Sequence, residues 1–201
     1  IVGGGLAGLA AAVGLATVGQ PAMLLESRPR LGGRAGSFHE SATDEWIDHC
    51  QHVGMGCCTS LLWLIQTVGL EECFRRDATL HFVAPPPPDA PPTIHQLRAA
   101  RLPAPLHLLP GLSGLKYLGS RQRREIRRGM LALARARGRD LGRPLEQWLA
   151  QHGQSPESVA GFWEVILVSA LSESLDRISV AHAQHVFVTG FLSHPRGWEL
   201  V

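Results

Sequence analysis

The 201-residue sequence lacks the motifs of several large enzyme classes. It contains no nucleophile elbow, no Walker phosphate-binding loop, no His-Glu-x-x-His zinc motif and no paired-carboxylate motif. Hydrolases and kinases use such motifs to position a nucleophile, a phosphate or a metal-bound water. The sequence therefore gives no support to those classes, and any chemistry has to be carried by a bound cofactor.

Cysteine is scarce, and its four copies, Cys50, Cys57, Cys58 and Cys73, form no Cys-x-x-Cys pair. Structural zinc is usually held by closely paired ligands, although a site built from Cys50, His52 and Cys57 stays open as an alternative. We expect no metal. We interpret the cysteines as free buried thiols, which places the protein in a reducing cytoplasm.

Lysine is almost absent, since Lys116 is the only one, whereas arginine occurs eighteen times. Nine of the arginines lie within residues 121–143, where Glu125 and Asp140 are the acids and no aromatic residue occurs. The formal net charge of +2 gives no argument for nucleic acid, and nucleic-acid sites usually interleave aromatic and basic side chains. We therefore expect no nucleic-acid partner.

Two interpretations of this arginine-rich segment stay open. The first is a solvated helix covered with arginine, which is ordinary in soluble proteins. The second is peripheral contact with anionic lipid at the inner membrane through residues 121–143. The apolar face of such a helix would consist of Ile126, Met130, Leu131 and Leu133.

Three glycines near the start of the chain, Gly3, Gly5 and Gly8, have the Gly-x-Gly-x-x-Gly spacing. Between a strand and a helix, the first glycine allows a tight turn, the second admits a pyrophosphate, and the third lets helix and strand pack closely. Glu26 lies eighteen residues beyond Gly8, after the apolar run Met23-Leu24-Leu25, where a second parallel strand would present a carboxylate to a ribose hydroxyl. This spacing predicts dinucleotide binding.

The alternative for the same segment is a membrane helix or a signal peptide. Residues 1–19 are uncharged and mostly apolar, and Gly4-x-x-x-Gly8 has the spacing of a helix-packing motif. However, no basic residue precedes the run, three consecutive glycines interrupt it, and an apolar stretch ending in an acid follows. These features favour a βαβ unit.

A second glycine pair, Gly32-Gly33-Arg34, begins six residues after Glu26. It is either a plain turn with a solvated arginine or a second place where the backbone and a charged donor approach phosphate. Simple NAD enzymes do not need such an element. Its position after the first motif favours FAD.

The first 38 residues resemble the N-terminus of the FAD-dependent amine oxidase and phytoene desaturase superfamily, in which these three elements recur in this order. The resemblance implies FAD as cofactor and a Rossmann-like FAD-binding domain of α/β class, followed by an α+β substrate domain. It also implies a longer protein, so we expect this chain to be truncated at its C-terminus. The predicted cofactor-binding residues are Gly3, Gly5, Leu6, Ala7, Gly8, Glu26, Ser27, Arg28, Gly32, Gly33 and Arg34.

Residues 48–52 (DHCQH) and 54–58 (GMGCC) look like the squalene-associated desaturase branch, that of hydroxysqualene dehydroxylase, and residues 171–176 and 181–183 are similar to it. The resemblance implies reductive removal of the hydroxyl of hydroxysqualene, an isoprenoid lipid substrate, and catalytic roles for Asp48, His49 and His52. A structural role for each of these side chains stays open. The alternatives are carotenoid desaturation, amine oxidation, and a non-enzymatic prenyl-lipid carrier similar to the GDP dissociation inhibitors.

The pattern along the chain predicts a domain boundary, with residues 1–75 forming the FAD-binding portion and residues 76–201 part of the substrate domain. Predicted strands cover residues 22–26, 37–39, 46–48, 80–84 and 93–97, the last two joined by a proline-rich connector over 85–92. Predicted helices cover residues 6–18, 59–68, 111–119, 121–138, 144–152, 156–171 and 180–192. The apolar residues of 162–171 fit either a lipid tunnel or ordinary packing.

Overall fold

The computed structural model describes residues 1–49, 53–84 and 91–201. It divides the chain into two units, one of Ile1–Gly54 with Thr59–Arg75 and one of Met55–Cys58 with Arg76–Val201. The short segment Met55–Cys58, which the sequence placed in the first domain, thus belongs with the second unit. Residues outside the described ranges include Cys50, Gln51, His52 and most of the proline-rich connector. The interpretation of the cysteines as buried thiols is wrong for those described, because Cys58 and Cys73 are exposed and Cys57 is half-buried.

The first unit begins with two chain segments that pair in parallel. One precedes helix α1, Leu6–Thr17, in the sequence and the other follows it. Val2 and Leu25 form a parallel bridge, in which the Gly3 amide donates to the Leu25 carbonyl at 2.8 Å and the Leu25 amide donates to the Ile1 carbonyl at 2.9 Å. The prediction of a strand over residues 22–26 is wrong in extent, because pairing is confined to this bridge. Val2 is 89% exposed and Leu25 56%, so little apolar packing supports a longer ladder among the described residues.

Residues 1–19, for which a membrane helix was the alternative, form this bridge, a glycine loop and the twelve-residue helix α1. Within residues 1–49, 53–84 and 91–201, no helix has both the length and the apolar character needed to cross a bilayer.

A hairpin and a second helix complete the first unit. Strands β1, Ser37–Glu40, and β2, Glu45–Asp48, pair antiparallel with Ser37 opposite Asp48 and His39 opposite Trp46. Helix α2 covers Thr59–Thr67, and a 3₁₀ turn follows at Glu71–Cys73. These elements confirm the predicted strands at 37–39 and 46–48 and the predicted helix from residue 59.

The second unit opens with the antiparallel hairpin of β3, Leu80–Ala84, and β4, Thr93–Leu97, as predicted. Two 3₁₀ turns follow, Leu106–Leu108 and Pro110–Gly114. The predicted helix over residues 111–119 is wrong. Gly111 and Gly114 lie against the carbonyl oxygens of Arg98 and Gln96, and this close approach to the β4 region fixes a short turn there.

Helices form the rest of the second unit. The α-helices are α3 (Ser120–Arg135), α4 (Leu145–Gln151), α5 (Pro156–Ser158), α6 (Val165–Leu171) and α7 (Val180–Gln184). A 3₁₀ turn lies at Gly138–Gly142, and π-helical segments at Val159–Glu164 and His185–Leu192 extend α5 and α7. The predicted helices over 121–138, 144–152, 156–171 and 180–192 are confirmed in position, and Ser155 is the predicted N-cap, accepting from the Ser158 amide.

The hydrophobic core lies in this second unit. Ile126 and Leu133 of α3, Trp163 and Leu167 are fully buried together with α4 and α7 side chains. The rings of Phe162, Trp163 and Phe187 meet edge-on or stacked at 5.1 to 5.8 Å between centroids. Ordinary packing therefore accounts for Phe162, Trp163 and Leu167, three of the residues that also suited a lipid tunnel.

Candidate dinucleotide-binding site

The three glycines of the loop between the first bridge and α1 have different surroundings. Gly3 has φ +98°, which an L side chain adopts only with strain. A Cβ atom at Gly8 would overlap the Gly3 carbonyl oxygen, whereas a Cβ at Gly5 would have no neighbour within 4 Å. The loop therefore needs Gly3 to turn and Gly8 to pack, and it leaves open space in front of Gly5.

The same loop presents the beginning of α1 to that open space. Gly5 is the N-cap, and no side chain caps the first turn. The backbone amides of the first turn, including those of Leu6 and Ala7, have no acceptor within the helix, and the helix dipole adds positive potential there. An anion such as a pyrophosphate fits this end of the helix without a side-chain contact.

The second glycine pair lies directly beside the first loop. Gly5 and Gly32 form a parallel bridge, and the Gly32 amide donates to the Gly4 carbonyl at 2.8 Å. Gly32 and Gly33 have φ of +105° and +61°, and a Cβ on Gly33 would lie 3.2 Å from the Gly5 Cα. Arg34 follows, exposed to solvent. Two sequence motifs that are 24 residues apart thus form one backbone surface.

Backbone amides on both sides hold the Glu26 carboxylate in position. Its Oε2 accepts from the Gly4 amide at 2.7 Å, and its Oε1 accepts from the Arg28 amide at 2.9 Å and from the Ser27 hydroxyl at 3.3 Å. These hydrogen bonds hold the pKa of Glu26 below its usual value, and the bond from the Arg28 amide contributes most. The carboxylate is therefore ionised at neutral pH and oriented beside the glycine loop.

A cavity of about 480 Å³ lies next to Glu26 within the first unit. It is lined by Glu26, Arg28, Pro29, Arg30, Leu31, Gly33, Gly36, Ser37, Trp46 and His49. Of the predicted cofactor-binding residues, Glu26, Arg28 and Gly33 line it directly. Three further predicted residues, Gly3, Gly5 and Gly32, form the adjoining loop surface.

Sequence reasoning missed the aromatic and basic wall of this cavity. The Arg30 guanidinium carbon lies 5.5 Å from the centroid of the Trp46 ring, and His39 meets the same ring edge-on at 5.5 Å. A signal was present, because alternate residues of a strand share a face, and Trp46 and Asp48 belong to the same predicted strand. The wall offers a flat ring and a cation, which suit stacking against a planar base.

The structure describes two of the three predicted catalytic residues, Asp48 and His49. Asp48 accepts a short hydrogen bond from the Ser37 hydroxyl across the β1–β2 pair. His49 lines the cavity, and its ring centroid lies 5.3 Å from that of Phe38. His52 lies outside the described residues, as do Cys50 and the zinc alternative that depended on both.

These residues fit the adenosine diphosphate part of FAD. The fit rests on the open space at Gly5, which a side chain would fill, and on the uncapped amides of α1. The ionised Glu26 carboxylate adds the acceptor that a ribose hydroxyl needs. The arrangement can bind and orient a dinucleotide.

Comparison with known proteins gives a family match over most of the chain. Residues 6–190 match the family model described as flavin-containing amine oxidoreductase. The match includes the second half of the glycine motif and nearly all of the second unit.

Individual relatives match shorter segments. Zeta-carotene desaturase of Zea mays is 40% identical over 72 residues, which are 36% of this chain and 12% of that protein. Its counterpart from Synechocystis is 37% identical over 81 residues, 40% of this chain and 16% of that protein. Hydroxysqualene dehydroxylase of Sinorhizobium fredii is 43% identical over 53 residues, 26% of this chain and 13% of that protein.

A solved structure, an oxidoreductase from Methanosarcina mazei, matches the whole chain with a TM-score of 0.63 at 17% identity. This likeness concerns the fold, and the chain spans 44% of that structure. The alignments with the desaturases and the dehydroxylase cover a still smaller share of those proteins, between 12% and 16% of their length.

Proposed function

The chain belongs to the family of flavin-containing amine oxidoreductases, and from that premise we propose that the protein is an FAD-dependent oxidoreductase acting on a squalene-type isoprenoid. The reaction that we propose is the reductive removal of the hydroxyl of hydroxysqualene. The observation that carries the cofactor assignment is the glycine loop, open at Gly5 and paired with Gly32. The resemblance of residues 48–58 and the alignment with a hydroxysqualene dehydroxylase support the substrate.

The residues that would hold FAD are those of the proposed Rossmann-like portion. The amides of Leu6 and Ala7 would face the pyrophosphate, and Glu26 would accept from the ribose. Arg28 and Arg34 would supply further charge near the phosphates. Each of these contacts binds and orients the cofactor and does not itself move an electron.

Removal of the hydroxyl breaks a carbon–oxygen bond, forms a carbon–hydrogen bond and releases water. The reaction therefore needs a hydride at carbon and a proton at the departing oxygen, and the reduced flavin supplies the hydride. The protein has to supply the proton and exclude bulk water. His49, at the cavity wall, and Asp48, held by Ser37, are the residues that we propose for holding that proton.

Carotenoid desaturation is the second candidate. The alignments with zeta-carotene desaturases of Zea mays and Synechocystis cover 72 and 81 residues, more than the 53 residues of the dehydroxylase alignment. Desaturation removes two hydrogens from the substrate, so the flavin would act as the oxidant. The two candidates therefore differ in the direction of electron flow.

Product analysis distinguishes the candidates. The protein is loaded with FAD, and one portion is photoreduced without oxygen and incubated with hydroxysqualene. A second portion is kept oxidised and is incubated separately with zeta-carotene and with a simple amine. Our proposal predicts squalene from hydroxysqualene, in an amount that matches the reduced flavin consumed. Desaturated carotenoid formed by the oxidised protein, with no squalene from the reduced protein, would establish the second candidate. A colourless protein that binds isoprenoid without FAD would contradict both and support a lipid carrier.

A further inference from the structure

Six side chains share the solvent-facing side of helix α3, and five of them are arginines. Positions 121, 124, 127, 128, 131 and 135 follow the three- and four-residue spacing of one helix face. All six residues are exposed. We call this surface the basic face, and it consists of Arg121, Arg124, Arg127, Arg128, Leu131 and Arg135.

The acids of the arginine-rich segment do not neutralise the centre of this face. Glu125 turns away from the basic face toward the start of α5, where its Oε2 accepts from the Ser155 and Ser158 hydroxyls. Its other oxygen accepts from Arg121 at 2.8 Å, so Arg121 is the one partly neutralised member. Asp140 pairs with Arg143 instead, at 3.2 Å.

The four other arginines of the basic face, Arg124, Arg127, Arg128 and Arg135, make no ion pair with any residue within 1–49, 53–84 and 91–201. Their charges repel one another across adjacent turns, which makes an anionic partner favourable. The basic face is thus a concentrated positive surface on a chain whose net charge is only +2.

The opposite side of α3 is firmly packed, so the basic face is presented on a fixed support. Ile126 and Leu133 are fully buried, and Gly129 lies so close to Trp163 and Gln154 that a Cβ there would meet them at 2.8 and 2.9 Å. The Gln154 amide also donates to the Glu125 carbonyl at 2.8 Å. The helix therefore presents these arginines without reordering its backbone.

The chemistry of the basic face favours an anionic bilayer over nucleic acid. Leu131 lies among the arginines and is 52% exposed, which suits shallow insertion between lipid headgroups. None of the six side chains is aromatic, so the face offers no ring on which nucleic-acid bases could stack. Arginines on a helix lying along a membrane can each contact a lipid phosphate.

We propose that the basic face of α3 docks the protein on a bilayer containing anionic phospholipid. Arg124, Arg127, Arg128 and Arg135 bind headgroup phosphates, and Leu131 enters the interface. The inference rests on the geometry of α3 alone and does not depend on the proposed isoprenoid substrate.

Vesicle co-sedimentation tests this proposal. The 201-residue chain is mixed with vesicles of phosphatidylcholine alone and of phosphatidylcholine with about one third phosphatidylglycerol, at low and at high salt. The variant R124Q/R128Q/R135Q removes three charges from the basic face. The matched control R75Q/R98Q/R101Q removes three exposed arginine charges elsewhere, and L131Q changes no charge. Circular dichroism and thermal unfolding show whether each variant is folded.

The expected result is binding to the anionic vesicles only, weakened by salt, with a partition coefficient at least about tenfold lower in R124Q/R128Q/R135Q than in the control. The variant L131Q keeps the salt-dependent binding at reduced strength. Absence of binding by the unaltered chain at low salt, or equal losses in both triple variants, would overturn the proposal. Tighter binding to duplex DNA than to vesicles, lost in the same variant, would assign the face to nucleic acid instead.

Discussion

Gly8 lies directly against the carbonyl oxygen of Gly3, so that a methyl group at residue 8 has no room. The two residues hold the start of α1 against the first chain segment, while Gly5 between them faces open space. One loop therefore contains glycines that the fold needs and a glycine, Gly5, that the fold does not need and that we propose serves the cofactor. This difference allows the two roles to be measured separately.

We expect the variant G5A to lose FAD affinity and the variant G8A to lose stability. Gly5 has extended backbone angles, φ −73° and ψ 179°, which alanine adopts, so G5A changes the free energy of unfolding by no more than about 0.5 kcal/mol. G8A lowers it by about 1–3 kcal/mol through overlap with Gly3. Thermal unfolding checks stability and flavin titration checks binding. Full FAD affinity in G5A would contradict the role of this loop.

The variant E26A should bind FAD at least about tenfold more weakly than the unaltered chain, because a ribose hydroxyl loses a charged acceptor. The carboxylate is already oriented by the Gly4 and Arg28 amides, so little reordering accompanies binding. The matched control is E72A, at an exposed acid in the turn Glu71–Cys73 of the same unit. Equal affinities in E26A and E72A, measured by flavin fluorescence, would refute the ribose contact.

Trp46 should report on ligand binding through its fluorescence. Its ring lines the cavity and lies under the Arg30 guanidinium, so a planar base entering the cavity changes its surroundings. Titration with FAD or ADP should alter tryptophan emission. The variant W46F should lose most of the emission change that ADP causes. Trp63, which is also partly exposed in the first unit, provides the control variant W63F. An ADP response that is lost in W63F and kept in W46F would place the base elsewhere.

Glu125 should stabilise the second unit in a pH-dependent way. Hydrogen bonds from Ser155 and Ser158, with that from Ser155 the strongest influence, lower the pKa of Glu125 to about 2. Its contribution is therefore fully present above the ordinary glutamate pKa of about 4.5 and is lost as the pH falls through the range from about 4.5 to about 2. The variant E125Q should lower the free energy of unfolding by about 1–3 kcal/mol at pH 7.

Denaturant titrations at pH 7 and pH 3 check the Glu125 prediction. The difference between the unaltered chain and E125Q should shrink at the lower pH. The variant E146Q, at an exposed acid in the first turn of α4, is the control and should show a much smaller difference at both pH values. A difference that is independent of pH would mean that Glu125 acts through its shape and not through its charge.

Local signals in the sequence predicted most of the elements. Glycines at 3, 5 and 8 predicted the loop before α1, and Ser155-Pro156 predicted the start of a helix, because both depend on backbone constraints that a few residues impose. The strand-like composition of residues 80–84 and 93–97, on either side of a proline-rich connector, predicted the β3–β4 hairpin with the correct bounds. These features follow from near neighbours in the chain.

Features that depend on distant neighbours were not predictable. Residues 22–26 have the composition of a strand, yet pairing is limited to Leu25 because Val2 and Leu25 have little packing on their side chains. The π-helical hydrogen bonding of Val159–Glu164 accompanies the packing of Phe162 and Trp163 in the core, which the apolar pattern does not encode. The wall of Arg30 and Trp46 depends on how the hairpin folds back toward Glu26.

The central claim is that the backbone around Gly5 and Gly32 binds the pyrophosphate of FAD. Amide NMR spectra of the ¹⁵N-labelled chain, titrated with FAD and with ADP, test it most directly. We predict saturable shifts of the Gly4, Gly5, Leu6 and Gly33 amides, with those of the basic face of α3 unchanged. Saturable FAD binding that leaves the glycine-loop amides unshifted would contradict the claim.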